Sequence, residues 1–203
     1  MINKEEKREY RKVSNYEVRQ LQDSNMTEIT GYIAKFNSVT ELFEGFFEKI
    51  DPHAFDNTLA DGHNIFLLYH HDWSKPLAST KIGTLQLNSD DVGLKFTATI
   101  NNNISYVKDV IELINEGLVC GCSFGFCCIN DSSEYNSQDD TITRTLLEVE
   151  LSEGSLLCIP AYEDTEVFAR AKMIEKEERD KLQKQKSLEI RKKKIEIELE
   201  LMN

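Results

Sequence analysis

The chain consists mainly of short segments of strand-forming residues, each ended by residues that favour turns. Residues 64–71 form a continuous apolar run that ends in two histidines, and a run of this length is typical of a buried strand. Other strands are predicted at residues 16–21, 28–36, 82–87, 93–100, 119–129 and 142–159, with an extended segment at 44–55. We therefore predict an α+β, mostly β fold with a few packed helices.

One helix is well marked. Ser105 is a suitable N-cap and Gly117 a suitable C-cap. The residues between them place an apolar stripe on one face, at Val107, Val110, Ile111 and Ile114. Two polar stretches are interpreted differently: residues 1–15 as a frayed arm and residues 130–141 as a loop.

Charge divides the chain into a domain at residues 1–171 and a tail at 172–203. The tail has 10 Lys+Arg and 8 Asp+Glu, whereas the preceding residues have 14 and 28, a net charge of −14. An acidic domain repels phosphate backbones, so we expect no nucleic-acid partner. The tail is predicted to be a helical or coiled-coil extension, although the alternation at residues 195–201 leaves a strand or a disordered end open.

Hydropathy and cysteine content bear on compartment. No apolar run approaches the ~18 residues that span a bilayer, and residues 1–8 are charged, so we expect neither a membrane partner nor a signal peptide. Four of the five cysteines crowd into nine positions, unlike the spaced, even set of a secreted disulfide framework. We interpret them as reduced core residues; a zinc site is the alternative.

Ser123 is the candidate nucleophile. Strand alternation places it on one face with Gly121 and Gly125, and places the larger neighbours Cys122 and Phe124 on the other, which we expect to be the core. A serine between two glycines would be open to a substrate backbone. A glycine-containing bulge would give the same pattern. The spacing also resembles a nucleophile elbow, but no helix is predicted to follow.

Glu153 is the candidate acid. Strand alternation places it with Leu151 and Leu157 on an apolar face, whereas Glu150 lies on the solvated face. A buried carboxylate without a partner is costly, so Glu153 needs a donor. An imidazole N–H would serve, and an ion pair with Lys or Arg is the alternative.

His70 and His71, followed by Asp72, are the candidate bases. A hydroxyl nucleophile needs a base to take its proton and a third group to hold that base, so one histidine would complete the set with Ser123 and Glu153. A metal site built on the two histidines and Asp72 is the alternative, although no further ligand cluster supports it. Two other histidines are interpreted as loop residues, His53 and His63.

The order of motifs resembles one known family. The series runs Gly31-Tyr32-Ile33-Ala34-Lys35-Phe36-Asn37, Phe47-Glu48-Lys49-Ile50-Asp51-Pro52-His53-Ala54-Phe55, His71-Asp72, Gly83-Thr84-Leu85, Gly93-Leu94-Lys95-Phe96, Ser123-Phe124-Gly125-Phe126, Glu153-Gly154-Ser155-Leu156 and Pro160-Ala161-Tyr162. Over roughly residues 8–171 it resembles the prohead proteases of tailed bacteriophages, serine peptidases related in fold to herpesvirus assemblin. The resemblance implies an assemblin-like β-barrel.

The resemblance also implies roles for three residues. His71 matches the base of an (Asn/His)-His-Asp motif, Ser123 the nucleophile of a Ser-(Phe/Val)-Gly-Phe motif, and Glu153 the acid of a Glu-Val-Ser-Leu-like motif. The chain departs from the family pattern at Gly154, where Val is usual. It departs again at Leu77-Ala78-Ser79, where Leu-Gly-Arg is usual.

The implied function is a serine endopeptidase that cleaves the major capsid protein and scaffold polypeptides during prohead maturation, and also cleaves itself. It would act inside the immature prohead in the host cytoplasm, self-associated (as a dimer), without a cofactor or metal. The tail at residues 172–203 would direct it to the scaffold or be removed by self-cleavage. The alternative is an inactive capsid-assembly protein with the same fold.

Overall fold

The computed structural model describes residues 8–14, 16–20, 25–158, 180–181 and 183–193. The elements in chain order are β1 (Arg8–Ser14), β2 (Tyr16–Gln20), β3 (Met26–Lys35), β4 (Thr40–Phe43), β5 (Phe46–Ile50), α1 (Asp56–Ala60), β6 (Phe66–Tyr69), β7 (Asp72–Ser79), β8 (Leu85–Ser89), β9 (Gly93–Asn101), α2 (Ser105–Asn115), β10 (Gly121–Asn136) and β11 (Thr141–Leu157). The predicted α+β, mostly β class is confirmed.

The larger sheet is organised around β11. Its strand order is β1-β10-β11-β5-β4, and β6 pairs with both β11 and β7. One edge of β11 pairs antiparallel with β10. The other edge pairs in parallel with β5 near its start and with β6 near its end. The end of β6, where the two histidines follow, therefore lies beside the end of β11.

The smaller sheet packs against the larger one. Its strand order is β2-β3-β9-β8, antiparallel throughout. One apolar cluster joins the two sheets; among its fully buried members are Ile29, Ile33, Phe96, Phe124, Phe126, Leu151 and Leu156. Burying each such side chain contributes about 1.5–3 kcal/mol to folding.

The predicted helix is present as α2 and buries Val107, Val110 and Ile114. Its N-cap is Ile104, one residue before the predicted Ser105, and no side chain caps it. At the other end Gly117 has φ +73°, and its N–H donates to the Ile114 carbonyl. This left-handed residue ends the helix as expected for glycine.

Two stretches that we predicted to be irregular are strands. Residues 8–14 form β1, which pairs with β10, and residues 130–136 extend β10 and pair with the start of β11. Both were misjudged because they are polar: strand prediction relies on buried apolar side chains, whereas backbone hydrogen bonds hold these segments.

The expected barrel is also wrong. Within the described residues the strands form two open sheets, with β1 and β4 at the ends of one path and β2 and β8 at the edges of the other. Of the predicted tail, residues 180–181 and 183–193 are helical and exposed, and the rest of it lies outside the described residues.

The prediction that the cysteines are core residues holds for Cys122 and fails for Cys158. No disulfide joins the five. Cys122 is buried in the core, where burial raises the pKa of its thiol to about 12 and keeps it protonated. Cys158, by contrast, is exposed. Within the described residues, no group of three or more His, Cys, Asp or Glu side chains is arranged to hold a metal ion.

Candidate active site

A tight turn presents His71. His70 and His71 are the two residues between β6 and β7, and Tyr69 pairs with Asp72 across them. Their φ angles of 53° and 57° are left-handed, as a two-residue hairpin turn of type I′ requires. Such turns usually contain Asn and Gly, and a left-handed non-glycine residue costs about 1–3 kcal/mol. The two histidines therefore raise the free energy of this turn, and this cost points to a functional reason for their presence.

The turn brings His71 into contact with Glu153 across 82 sequence positions. The Nδ1 atom of His71 lies 2.6 Å from Oε1 of Glu153, and a carboxylate oxygen there makes Nδ1–H the donor. Glu153 is 1% exposed. Within the described residues its ion-pair partner is His71. The alternative, an ion pair with a Lys or Arg, is therefore not what the structure shows. Nε2 of His71 is left as the atom able to accept a proton.

Ser123 lies on the strand next to Glu153. In the pairing of β10 with β11, Ser123 is opposite Ser155, and Gly125 is opposite Glu153. Ser123 and Glu153 are therefore diagonal neighbours on one face of the sheet. His71 reaches the same face by its contact with Glu153.

The two atoms expected to exchange a proton lack partners. Four buried side-chain polar atoms in the described part of the chain have no hydrogen-bond partner, and they include Oγ of Ser123 and Nε2 of His71. Buried polar atoms are seldom left unpaired, so each instance calls for an explanation. The two atoms do not bond each other in this structure. They are a hydroxyl and an imidazole nitrogen available for chemistry on one face of the sheet.

The burial of Glu153 was predicted correctly, but the predicted face is wrong. Phe126 pairs with Leu151 and Gly125 with Glu153, so Ser152 is an extra residue on β11. This β-bulge reverses the alternation between Leu151 and Glu153. Leu151 points to the core with Phe126, whereas Glu153 points to the opposite face with Ser123.

The face of Ser123 is covered and not bare as predicted. Ser123 is 0% exposed, and the ring of Tyr10 on β1 packs edge-on against His71 with ring centres 4.4 Å apart. A Cβ on Gly125 would lie 2.5 Å from Oε1 of Glu153 and 2.7 Å from Cε1 of Tyr10. The missing side chain of Gly125 therefore makes room for the acid and the tyrosine.

A buried ionic cluster anchors β1 on its other face. Arg11 donates to Glu9 at 2.8 Å and to Oε2 of Glu48 at 2.7 Å, and Arg144 donates to the same two carboxylates. Burial alone would raise the pKa of Glu9, but Arg11 and Arg144 outweigh it and hold that pKa below its usual value. Since Glu9 and Arg11 flank Tyr10 and Arg11 also donates to the Tyr10 carbonyl, the cluster holds the backbone from which this ring reaches the site.

His70, the competing base, points elsewhere. Its Nε2 accepts a hydrogen bond from the Cys158 N–H at 3.3 Å, and its ring packs against Tyr69. Burial, followed by the neighbouring His71 and Lys75, lowers the pKa of His70. Asp72 accepts from the backbone and hydroxyl of Ser74. Of the two adjacent histidines, it is therefore His71 that is hydrogen-bonded to Glu153.

Two residues at the site were missed by the sequence reasoning. Ser155 contacts both His71 and Glu153, and Tyr10 packs on His71. Ser155 could have been found from its position two residues after the acid on the same strand. Tyr10 gave no signal, since its segment was interpreted as a frayed arm.

The two departures from the family pattern are accommodated locally. A Cβ on Gly154 would lie 2.9 Å from Cδ1 of Ile33, so this isoleucine fills the space that a valine would need. Ser79, where an arginine is usual, is buried and donates to Oδ1 of Asn64 at 2.5 Å.

A family model described as caudovirus prohead serine protease matches residues 14–180. The chain belongs to this family. Membership makes it a serine peptidase and supports a role in capsid maturation, as the resemblance implied. Neither a curated protein nor a solved structure matches the chain significantly. In the described part of the chain, no helix is long and apolar enough to cross a bilayer.

Proposed function

We propose that the protein is a serine endopeptidase that uses Ser123 as nucleophile, His71 as base and Glu153 as the orienting acid. One observation carries the proposal. The buried Glu153 holds Nδ1 of His71 at 2.6 Å, and this leaves Nε2 unpartnered on the face where the hydroxyl of Ser123 is also unpartnered. In a family of serine peptidases, these three side chains supply the nucleophile, base and acid that acyl transfer uses.

The proposed mechanism is acyl transfer through a covalent intermediate. Oγ of Ser123 attacks the carbonyl carbon of the scissile peptide bond while Nε2 of His71 takes its proton. The same imidazolium then donates that proton to the leaving amine. Glu153 keeps the imidazole in the tautomer with Nδ1–H and stabilises its cationic form. Water, activated by His71, releases the acyl group and restores the hydroxyl.

The substrates we propose are the major capsid protein and scaffold polypeptides, cleaved inside the immature prohead in the host cytoplasm. Self-cleavage and self-association as a dimer are part of the same proposal. Confinement within a shell raises the effective concentration of protease and substrate, so cleavage needs little intrinsic affinity. The mechanism uses no metal or cofactor.

The burial of Ser123 adds a requirement. Its hydroxyl is not bonded to His71, and catalytic hydrogen bonds often tighten only when substrate binds. We propose that substrate or self-association closes this gap. The second candidate is an inactive assembly protein with the same fold. The missing hydrogen bond between Ser123 and His71 favours it, because an inactive protein would never form that bond.

Co-expression with the cognate capsid and scaffold genes tests the proposal, with the mass of every chain measured. Wild type is expected to trim capsid or scaffold chains, and Ser123→Ala to leave them whole. Ser89→Ala is the matched control, because its hydroxyl is also buried and unpartnered but lies on β8. It is expected to trim as wild type does.

The other outcomes are equally informative. Equal trimming by wild type and Ser123→Ala would mean that Ser123 is not the nucleophile. Absence of trimming in every sample would favour the assembly protein. Loss of trimming after treatment with a chelator would favour a metal-dependent hydrolase that uses the alternative site of His70, His71 and Asp72.

A further inference from the structure

Ser155 makes two hydrogen bonds within the candidate site, and the proposed mechanism uses neither of them. Its Oγ donates to Oε2 of Glu153 at 2.7 Å and accepts from the backbone N–H of His71 at 3.0 Å. The side chain is 0% exposed. A hydroxyl has one proton to donate. Ser155 donates its hydrogen bond to Glu153 and accepts one from the main chain of His71.

With the bond from Ser155, both carboxylate oxygens of Glu153 accept a hydrogen bond. One carboxylate oxygen accepts from the ring of His71 and the other from Ser155, so rotation of the carboxylate would break both bonds. A carboxylate held at both oxygens can align the imidazole within the small tolerance that catalysis demands.

The second bond acts on the turn. His71 has a left-handed φ of 57°, a conformation that surrounding contacts must maintain. Ser155 lies on β11 and is paired with Leu68 of β6 and with Ser123 of β10. The hydroxyl therefore joins the turn to β11, which bears the acid, and the backbone of Ser155 pairs with the strand that bears the nucleophile.

We propose that Ser155 is a positioning residue, which sets the ring of His71 through Glu153 and its backbone through the N–H. The inference rests on the proposed function and adds a fourth residue to it. At metal sites, loss of a residue that orients a ligand histidine or carboxylate lowers metal affinity or activity about 10- to 100-fold, and we take this as the scale of the effect. We expect Ser155→Ala to lower the maximal rate by this factor and to leave the half-saturating substrate concentration within about twofold, because the two bonds of Ser155 are to His71 and Glu153.

A fluorophosphonate probe measures the effect without knowledge of the cleavage site. Its covalent reaction with Ser123 yields a maximal rate and a half-saturating concentration. The matched control is Thr58→Val. The hydroxyl of Thr58 is also buried and accepts from the N–H of Leu151 on the same strand at 2.9 Å, but it does not touch the acid.

Both variants lose a buried hydroxyl bonded to backbone, so both should melt at a lower temperature than wild type. Only Ser155→Ala should slow labelling, and Ser155→Thr, which keeps the hydroxyl, should restore most of the rate. If Ser155→Ala labels as fast as Thr58→Val, Ser155 is structural and the inference is overturned. If Ser155→Ala does not fold, Ser155→Cys replaces it, with an intermediate rate expected and a wild-type rate overturning the inference.

This outcome is separable from failure of the proposed function. Wild type that is not labelled, or labelling that survives in Ser123→Ala, counts against the triad itself. Wild type that is labelled at Ser123 while Ser155→Ala is equally fast counts only against the role of Ser155.

Discussion

His71 with Glu153 and His63 with Asp61 are two imidazole–carboxylate pairs with nearly the same bond. The Nδ1 atom lies 2.6 Å from the carboxylate oxygen in the first pair and 2.5 Å in the second. The first carboxylate is buried and the second half exposed. Both histidines sit near β11, since His63 also contacts the carbonyl of Leu151, two residues before Glu153.

The pairs differ at the other ring nitrogen. Nε2 of His63 donates to the Leu151 carbonyl at 2.7 Å, whereas Nε2 of His71 is buried without a partner. Partial burial alone would lower the pKa of His63, but its bonds to Asp61 and to the Leu151 carbonyl outweigh it and raise that pKa. Both ring nitrogens of His63 are therefore occupied, and the ring links Asp61 to β11. A carboxylate partner alone does not make a base; the second nitrogen must also be available.

The largest expected effect compares the two acids. Glu153→Gln should lower the rate of fluorophosphonate labelling about 10³- to 10⁴-fold, because an amide no longer selects the tautomer with Nδ1–H. Asp61→Asn makes the same chemical change in the other pair and should leave the rate within about threefold. Equal losses of labelling rate in the two variants would contradict the expectation that only the His71–Glu153 pair takes part in the reaction.

A smaller effect is expected at the glycine beside each pair. Gly125→Ala places a methyl 2.5 Å from Oε1 of Glu153 and should slow labelling about 10- to 100-fold by displacing the acid. Gly62→Ala meets no atom within 4 Å but has φ +73°, so it should cost about 1 kcal/mol of stability and no activity. Chemical denaturation and labelling measure the two quantities separately. Normal labelling by folded Gly125→Ala would contradict the role of this glycine.

The smallest expected effect is the pH dependence that His63 confers on stability. The pKa of His63 is raised in the folded protein above the ordinary imidazole value of 6.5. The stabilisation is therefore fully present below about pH 6.5 and is lost as pH rises through the folded pKa. Denaturation midpoints between pH 5.5 and 8.5 should fall with pH in wild type more steeply than in His63→Gln. Parallel curves would show that the charge on His63 contributes nothing.

Much of this site could be predicted from sequence, and the rest depended on features that side-chain patterns do not encode. Glu153 was predicted to be buried because an apolar strand surrounds it, but its face was wrong since alternation cannot reveal the bulge at Ser152. Tyr10 was missed because β1 is held by backbone pairing and buried ion pairs instead of an apolar stripe. The contact of His71 with Glu153 required the parallel pairing of β6 with β11, which is not a local property.

The bulge has a consequence for comparing sequences. Because Ser152 is the one extra residue between the pairs Phe126–Leu151 and Gly125–Glu153, its removal would leave both pairs in a regular strand. Neighbouring residues of a regular strand lie on opposite faces, so Glu153 would still share a face with Ser123. In a sequence comparison, a one-residue gap at position 152 would therefore not by itself remove the acid from the face of Ser123.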